Sequence, residues 1–270
     1  MALEAQDLGA KLRSDKWKKA ARNRLADYAD RRARDFVVEV VKKVIKLDRS
    51  ARVLDVGCGP GKWSIMFAKT CSSVTAVDIS PNMILLARKN AEKEKLENLD
   101  FHVMNVSRLD VADETYDLVN CVTVLQHMFD DDEWRKAVLE FARVTKKGGY
   151  ILLFEVAPSF AVKKRTSNLR IRTMRQYANE LGKVHVHLVY WRAVDLSLPI
   201  TYLGLRNYAA SFNKRVYYFI SRRRLPTPGL LSFLSWGSAL LARVIDYKLG
   251  ETPLSYLSLG RILLFQKTSR

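Results

Sequence analysis

The sequence predicts an α/β fold in which a parallel sheet is doubly wound, with helices on both of its faces. Two observations predict it. From residue 51 onward, short β-branched and apolar runs alternate with segments of helical spacing. Strands and helices of these lengths in alternation build βαβ units, and hence a parallel sheet. The second observation is a turn with three glycines in five residues, placed between the first strand and its helix. In such sheets a ligand lies outside the carboxyl ends of the strands.

Each element has its own reason. "ARVLDVG" is a short apolar run closed by glycine and reads as a buried first strand. "GKWSIMFAKTC" follows with helical spacing, and "SVTAVDIS" is the second strand. "SPNMILLARKNAEKEK" opens with Ser-Pro, a helix-start pair, and runs as a helix. "LDFHVMNV" and "TYDLVNCVTVL" supply the third and fourth strands. "DDDEWRKAVLEFARVTKK" places acids at its start and bases at its end, as the helix dipole favours, with Gly148-Gly149 as its stop. "YILLFEV" is the fifth strand. "KVHVHLVYW" alternates as a sixth, with His185 and His187 on one face, and "GRILLFQKT" is the last.

Composition narrows the function classes. The 270 residues are 48% hydrophobic and 27% charged, ordinary for a globular protein. Three cysteines without a C-x-x-C pair argue against a disulfide framework and against a zinc site. The H-x-H pair at 185–187 has no third ligand near it, so no metal site is expected. Neither a secretory leader nor a run of eighteen apolar residues is present, which makes a cytoplasmic protein the expectation.

The formal net charge of +18 is unevenly spread. Residues 1–50 carry 14 bases against 8 acids, while 51–156 carry 13 against 16. Residues 157–248 carry 16 bases against 3 acids. A nearly neutral body thus joins a basic N-terminal arm to a strongly basic later section. Four segments follow: a helical arm or lid at 1–50, a ligand-binding core at 51–195, a basic aromatic helical insertion at 196–250, and the last strand within 251–270.

The glycine turn, "VLDVGCGPGKW", excludes two familiar ligands. A pyrophosphate fingerprint is G-x-G-x-x-G, but here the third glycine comes one residue early and Lys62 fills its slot. No G-x-x-x-x-G-K-[ST] loop occurs either. Gly57 and Gly59 can adopt positive φ without a Cβ, which lets a ligand approach the backbone. A carboxylate at Asp55 would repel pyrophosphate and attract an ammonium or sulfonium. The ligand should carry positive charge and little phosphate.

"VLDVGCGPG" followed by "VTAVDISPNM" resembles the class I S-adenosylmethionine-dependent methyltransferases, in the branch acting on small substrates. The resemblance covers about residues 51–156. It implies a seven-stranded, mostly parallel sheet in the order 3-2-1-4-5-7-6, with strand 7 antiparallel, and S-adenosyl-L-methionine as cofactor. It also implies residue roles. Asp55 and the turn Gly57, Gly59 and Gly61 would hold the methionine portion. Asp78, which closes the second strand 17 residues after Gly61, would accept from both ribose hydroxyls, a task suited to two acceptor oxygens. Ile79 and Met83 would pack on the adenine. Asn105 stands where the family usually has aspartate and keeps an acceptor oxygen for the adenine amino group, while the Val106 backbone would meet the ring.

Methyl transfer from a sulfonium depends mainly on alignment, and hydroxyl acceptors usually also need a base. His127, just past the fourth strand, is the candidate base or else a hydrogen-bonded loop histidine. Glu155, at the carboxyl end of the fifth strand, is a second catalytic candidate through substrate contact, or a rim acid paired with a base.

The acceptor is to be read outside the core. Residues 196–250 hold Tyr202, Tyr208, Phe212, Tyr217, Tyr218 and Trp236 among bases that include Arg222, Arg223 and Arg224. Three readings stand: a cap over the substrate pocket, a surface lying peripherally on an anionic membrane, or a nucleic-acid face. No RNA-binding module is recognisable, which puts nucleic acid last. The expected function is methyl transfer to a small or lipid-linked acceptor, with an anionic one matching the bases. The alternatives are an RNA methyltransferase and a non-catalytic cofactor-binding scaffold or sensor. The sequence leaves the oligomeric state open.

Overall fold

In the computed structural model of the chain, the described residues are 34–159, 169–195 and 260–268. The first part of the N-terminal arm and the insertion at 196–250 lie outside them. Residues 34–40 form helix α1, which continues as a π turn at Val41–Ile45. The core then runs β1 (Arg52–Val56), α2 (Lys62–Ala68), β2 (Ser73–Asp78), α3 (Pro81–Glu92), β3 (Leu99–Val103) and β4 (Tyr116–Val122). After a 3₁₀ turn at Leu125–His127 come α4 (Asp131–Val144), β5 (Thr145–Val156), α5 (Met174–Gly182), β6 (Val186–Asp195) and β7 (Gly260–Lys267).

The seven strands form one sheet in the order β3-β2-β1-β4-β5-β7-β6. β1 to β5 pair in parallel, and β7 runs antiparallel between β5 and β6. This is the order that the sequence resemblance implies.

Strand alternation sorts the core into two layers. Leu54, Val119, Ile151, Leu153, Leu263 and Phe265 point to the side where Trp134, Val138 and Phe141 of α4 and Tyr177 and Leu181 of α5 are buried. Val53, Leu118, Leu152, Ile262 and Leu264 point the other way, onto Phe36, Val37 and Val40 of α1 and Phe67 of α2. α3 packs through Ile84, Ala87 and Ala91 on Ala76 and Phe101. The apolar stripe of α1 therefore covers a sheet face, not an edge.

Local chemistry sets the helix ends. Ser80 caps α3, its hydroxyl accepting from Met83 N, and Pro81 follows at the first helical position. Asp130 caps α4 by accepting from Asp132 N and Glu133 N. The sequence reading differs at three places. α4 ends at Val144, and Gly148 (φ 77°) lies inside β5 instead of stopping the helix. Gly149 is required by crowding, since a Cβ there would come 2.9 Å from Lys146 O and 3.1 Å from Asp117 O. His185 precedes β6 with φ 58°, so only His187 belongs to the strand, and the two do not share a strand face. Helix α5 was not anticipated; Thr173 opens it with a capping box to Gln176.

Candidate active site

The turn after β1 carries three glycines in left-handed conformation: Gly57 at φ 65°, Gly59 at 53° and Gly61 at 81°. Their needs differ. A Cβ on Gly57 would fall 2.2 Å from Val124 Cγ2, in the segment after β4. One on Gly61 would fall 3.0 Å from Ala87 Cβ of α3. One on Gly59 would meet nothing within 4 Å. Two of the glycines thus serve the packing of the protein itself, and Gly59 alone presents bare backbone to open space. Cys58 N donates to Val77 O and fastens the turn to β2.

Asp55 lies beneath this turn, 1% exposed. Ser64 Oγ of α2 donates to one of its oxygens and Asn120 Nδ2 of β4 to the other. Burial pushes its carboxyl up to about 6, against the pull of those two donors. Its charge acts on the site from below, through the turn, because its burial leaves its oxygens out of a ligand's reach.

Asp78 closes β2 half-buried. Gly59 N donates to Oδ2 and Ser80 N to Oδ1, both at 2.9 Å. One carboxylate therefore links the open glycine to the cap of α3. Each oxygen keeps a further lone pair for a hydroxyl. Beyond it, Ile79 is half-buried and Met83 is buried. Asn105 is exposed, and its Oδ1 accepts from Ser107 N at 3.0 Å, forming a local turn, while the single hydroxyl proton of Ser107 goes to Glu133 Oε2 at 2.6 Å. The oxygen expected to face an adenine thus holds its own chain with one lone pair and keeps the other. Val106 is buried beside it.

The segment after β4 holds His127 exposed at the end of the 3₁₀ turn. It begins at Thr123, a β-branched residue with φ 55°, a conformation such residues rarely adopt. Glu155 does not stand on a rim, as the sequence suggested. It is 1% exposed, and burial pushes its carboxyl up to about 7. Oε1 accepts from Val124 N at 2.8 Å and Leu125 N at 3.0 Å, and Oε2 from Gln126 N at 3.2 Å. It contacts backbone amides where a base was expected.

Sequence reasoning also passed over Arg172. This guanidinium is 1% exposed, and its Nη1 donates to Leu125 O and Met128 O. Nη2 donates to Asp131 Oδ1 at 2.7 Å, and the cation lies 4.6 Å from the Trp134 ring centroid. No motif surrounds it in the sequence; a basic residue just before a capping box was the available signal. Among the described residues no cluster of three metal-ligating side chains occurs.

Comparison with known proteins bears on this site. Residues 53–149, the span from the first strand to Gly149, match the methyltransferase domain family. The matched span is the one that carries the glycine turn, Asp78 and His127, and its likeness is to methyltransferase domains. An uncharacterized methyltransferase of Schizosaccharomyces pombe is 35% identical over 42% of this chain and 41% of its own length. A ubiquinone biosynthesis O-methyltransferase of Xanthomonas oryzae is 36% identical over 38% of this chain and 42% of its own. The chain thus spans less than half the length of these two relatives. Among solved structures, the [4+2]-cyclase SpnF superposes with a TM-score of 0.59 over 87% of this chain and 81% of its own, at 24% identity. That likeness concerns the fold.

S-adenosylmethionine is the cofactor of such methyltransferase domains, and the residues present fit it. Gly59 leaves backbone open, Asp78 offers acceptors beside it, and Asp55 places negative charge beneath.

Proposed function

We propose that the chain is an S-adenosylmethionine-dependent methyltransferase acting on a small or lipid-linked acceptor. The observation that carries this reading is the hydrogen bond from Gly59 N to Asp78 Oδ2. It sets a two-oxygen acceptor against an uncrowded stretch of backbone at the carboxyl ends of β1 and β2. Asp78 would hold the ribose hydroxyls, the turn the methionine portion, and Ile79 with Met83 one apolar wall. When bound, the cofactor supplies a methyl group on a positively charged sulfur.

The protein's own contribution is alignment and charge. The turn fixes the backbone, and Asp55 favours a cation above it. On this reading His127 would take a proton from a hydroxyl acceptor at its ring nitrogen, whereas an amine or carbanion would not require it. The ubiquinone-pathway relative supports a small, apolar acceptor, and the bases of 157–248 support an anionic one. The leucine-rich stretch within 230–249 supports peripheral contact with a membrane. No helix among the described residues is long and apolar enough to cross one.

Calorimetry with S-adenosylmethionine and its demethylated product tests the reading. Both should bind, and NAD should not; tight NAD binding would overturn it. Incubation of fractionated cell extract with the loaded protein, followed by mass spectrometry for the gain of one methyl, then identifies the acceptor. Binding without any such gain would favour the scaffold or sensor.

A further inference from the structure

The 3₁₀ turn that bears His127 is gripped by opposite charges at its two ends. At the start, three successive amides, Val124 N, Leu125 N and Gln126 N, converge on the Glu155 carboxylate. Consecutive amides arranged in this way form an anion-binding nest, and here the chain fills the nest with its own side chain. At the far end the carbonyls of Leu125, Met128 and Asp130 receive the Arg172 guanidinium. A short helical turn has positive character at its amides and negative character at its carbonyls, so each charge stands where it stabilises the turn.

Two further contacts carry this arrangement outward. Val124, the first residue of the nest, packs against Gly57, which is why Gly57 has no room for a Cβ. Gln126 Oε1 accepts from Val156 N, and Arg170 N donates to Gln126 O, closing the segment from both flanks. Thr123, at positive φ, is the strained entry to the turn, and strain of that kind persists where surrounding contacts hold it.

We propose that Glu155 and Arg172 are positioning residues. They fix the acceptor-side turn of His127 and, through Val124, the Gly57–Gly61 turn on the cofactor side, so that the two halves of the site are set by one buried pair of charges. Only the words acceptor and cofactor rest on the methyltransferase reading; the mechanical link does not. The carboxylate is also open to titration. Around it stand Cys121 of β4, whose Sγ donates to Oε1 at 3.6 Å, Tyr177 of α5, and Arg261, its partner in the β5–β7 register, while Arg172 reaches the same turn through Leu125 O. With burial as the main influence, Glu155 takes up a proton nearer neutrality than an ordinary glutamate. Protonation removes the charge that the three amides share.

Amide hydrogen exchange and proton–nitrogen correlation spectra of the free protein test the link without cofactor or acceptor. At pH 8, Glu155→Gln should speed exchange of Val124, Leu125 and Gln126 at least tenfold, with the helices intact by circular dichroism. In the unsubstituted protein the three amides should shift together on acidification, with one midpoint well above the ordinary glutamate range. The same midpoint should appear at Gly57 and Gly59 and survive both His127→Gln and Asp55→Asn. The second variant is needed because Asp55, beneath the turn, also takes up a proton above the ordinary carboxylate range. Loss of the Gly57 and Gly59 shifts in Asp55→Asn would overturn the link. Unchanged exchange in Glu155→Gln, or shifts that vanish with His127→Gln, would overturn the proposal. Should Glu155→Gln fail to fold, the titration of the unsubstituted protein decides alone. A binding arm separates this inference from the function. Glu155→Gln and Arg172→Lys should each weaken S-adenosylhomocysteine binding about tenfold while leaving the fold intact. If the unsubstituted protein binds no S-adenosylhomocysteine, the function fails and the loop measurements still stand. Full affinity in both variants overturns the link to the cofactor turn.

Discussion

Gly57 and Val124 sit so close that a single methyl on the glycine would lie 2.2 Å from Val124 Cγ2. The contact joins the turn after β1 to the turn after β4, the two segments that bracket the site. Gly57→Ala should therefore cost about 2–4 kcal/mol, combining left-handed backbone strain with overpacking. Adding Val124→Ala should return about 1–2 kcal/mol of that, since the clash is removed and the strain remains. Denaturant melts of the two single variants and the double one measure this; strict additivity would deny the contact.

Gly59 calls for the opposite result. Its Cβ would meet nothing, so Gly59→Ala should cost stability only through φ, about 1–2 kcal/mol. Its main effect should be on ligand affinity, by at least tenfold, because the methyl enters the space left open over the turn. Calorimetry with S-adenosylhomocysteine checks it.

Asp78 holds two amides before any ligand arrives. Asp78→Ala should lower S-adenosylhomocysteine affinity at least tenfold, and Asp78→Asn by less, because the amide keeps one acceptor. Each charge-assisted bond contributes on the order of 1.5–3 kcal/mol, part of which water restores. An unchanged dissociation constant in Asp78→Ala would remove this residue from the site.

Much of this was legible in the residues. The strand and helix alternation gave the sheet, the glycine turn gave the end of the sheet that matters, and Asp78 was readable as a strand-end acid near it. What escaped depends on partners far along the chain. That Gly57 answers to Val124, or that Glu155 is buried under the amides of Val124, Leu125 and Gln126, is a property of packing, and no spacing near either residue encodes it. Gly148 and Gly149 looked like a helix stop because glycine serves both ends and strand crowding. Arg172 was invisible because a single buried cation has no pattern until its carbonyl partners are assembled. Asn105 offers an acceptor oxygen in the sequence, and nothing near it tells that Ser107 N, two residues on, uses one of its two lone pairs.

Stability should depend on pH in an unusual direction. Asp55 and Glu155 have folded values raised to about 6 and about 7, above those of the unfolded chain. Between pH 5 and 7 the folded protein then holds protons that the unfolded chain has released. Stability therefore falls as pH rises through this window, by on the order of 1–3 kcal/mol for the two together. The carboxylates lowered by bases, such as Asp131 beside Arg170 and Arg172, act in the reverse sense but titrate below the window. Thermal melts should give a higher midpoint at pH 5.5 than at 7.5, and Asp55→Asn should flatten the slope. A midpoint that climbs with pH would contradict the assignment.

The basic section at 157–248 distinguishes acceptor classes. Anionic vesicles of phosphatidylserine and phosphatidylcholine should bind the full chain weakly, with an apolar component that survives added salt. RNA should bind more weakly still, and its affinity should drop steeply as salt releases the advantage of counterion displacement. Replacing Arg222, Arg223 and Arg224 together with glutamate should reduce vesicle capture. Submicromolar RNA binding at physiological salt would turn the reading toward a nucleic-acid acceptor.

Strand β7 has a bearing on how the molecule comes into being. It lies between β5 and β6, its residues Ile262 to Phe265 wholly buried, and β6 is the last strand in the order. During synthesis β6 emerges before the strand it must pair with. Until residue 267 has been made, the edge of β5 from Tyr150 to Val156 has no neighbour on that side. A nascent chain thus carries a long, apolar, unpaired edge of the kind that invites pairing between molecules. Shortening the chain before Gly260 should yield aggregates in place of a smaller folded protein, and slow translation of the final stretch should lengthen the period during which chaperones must shield that edge.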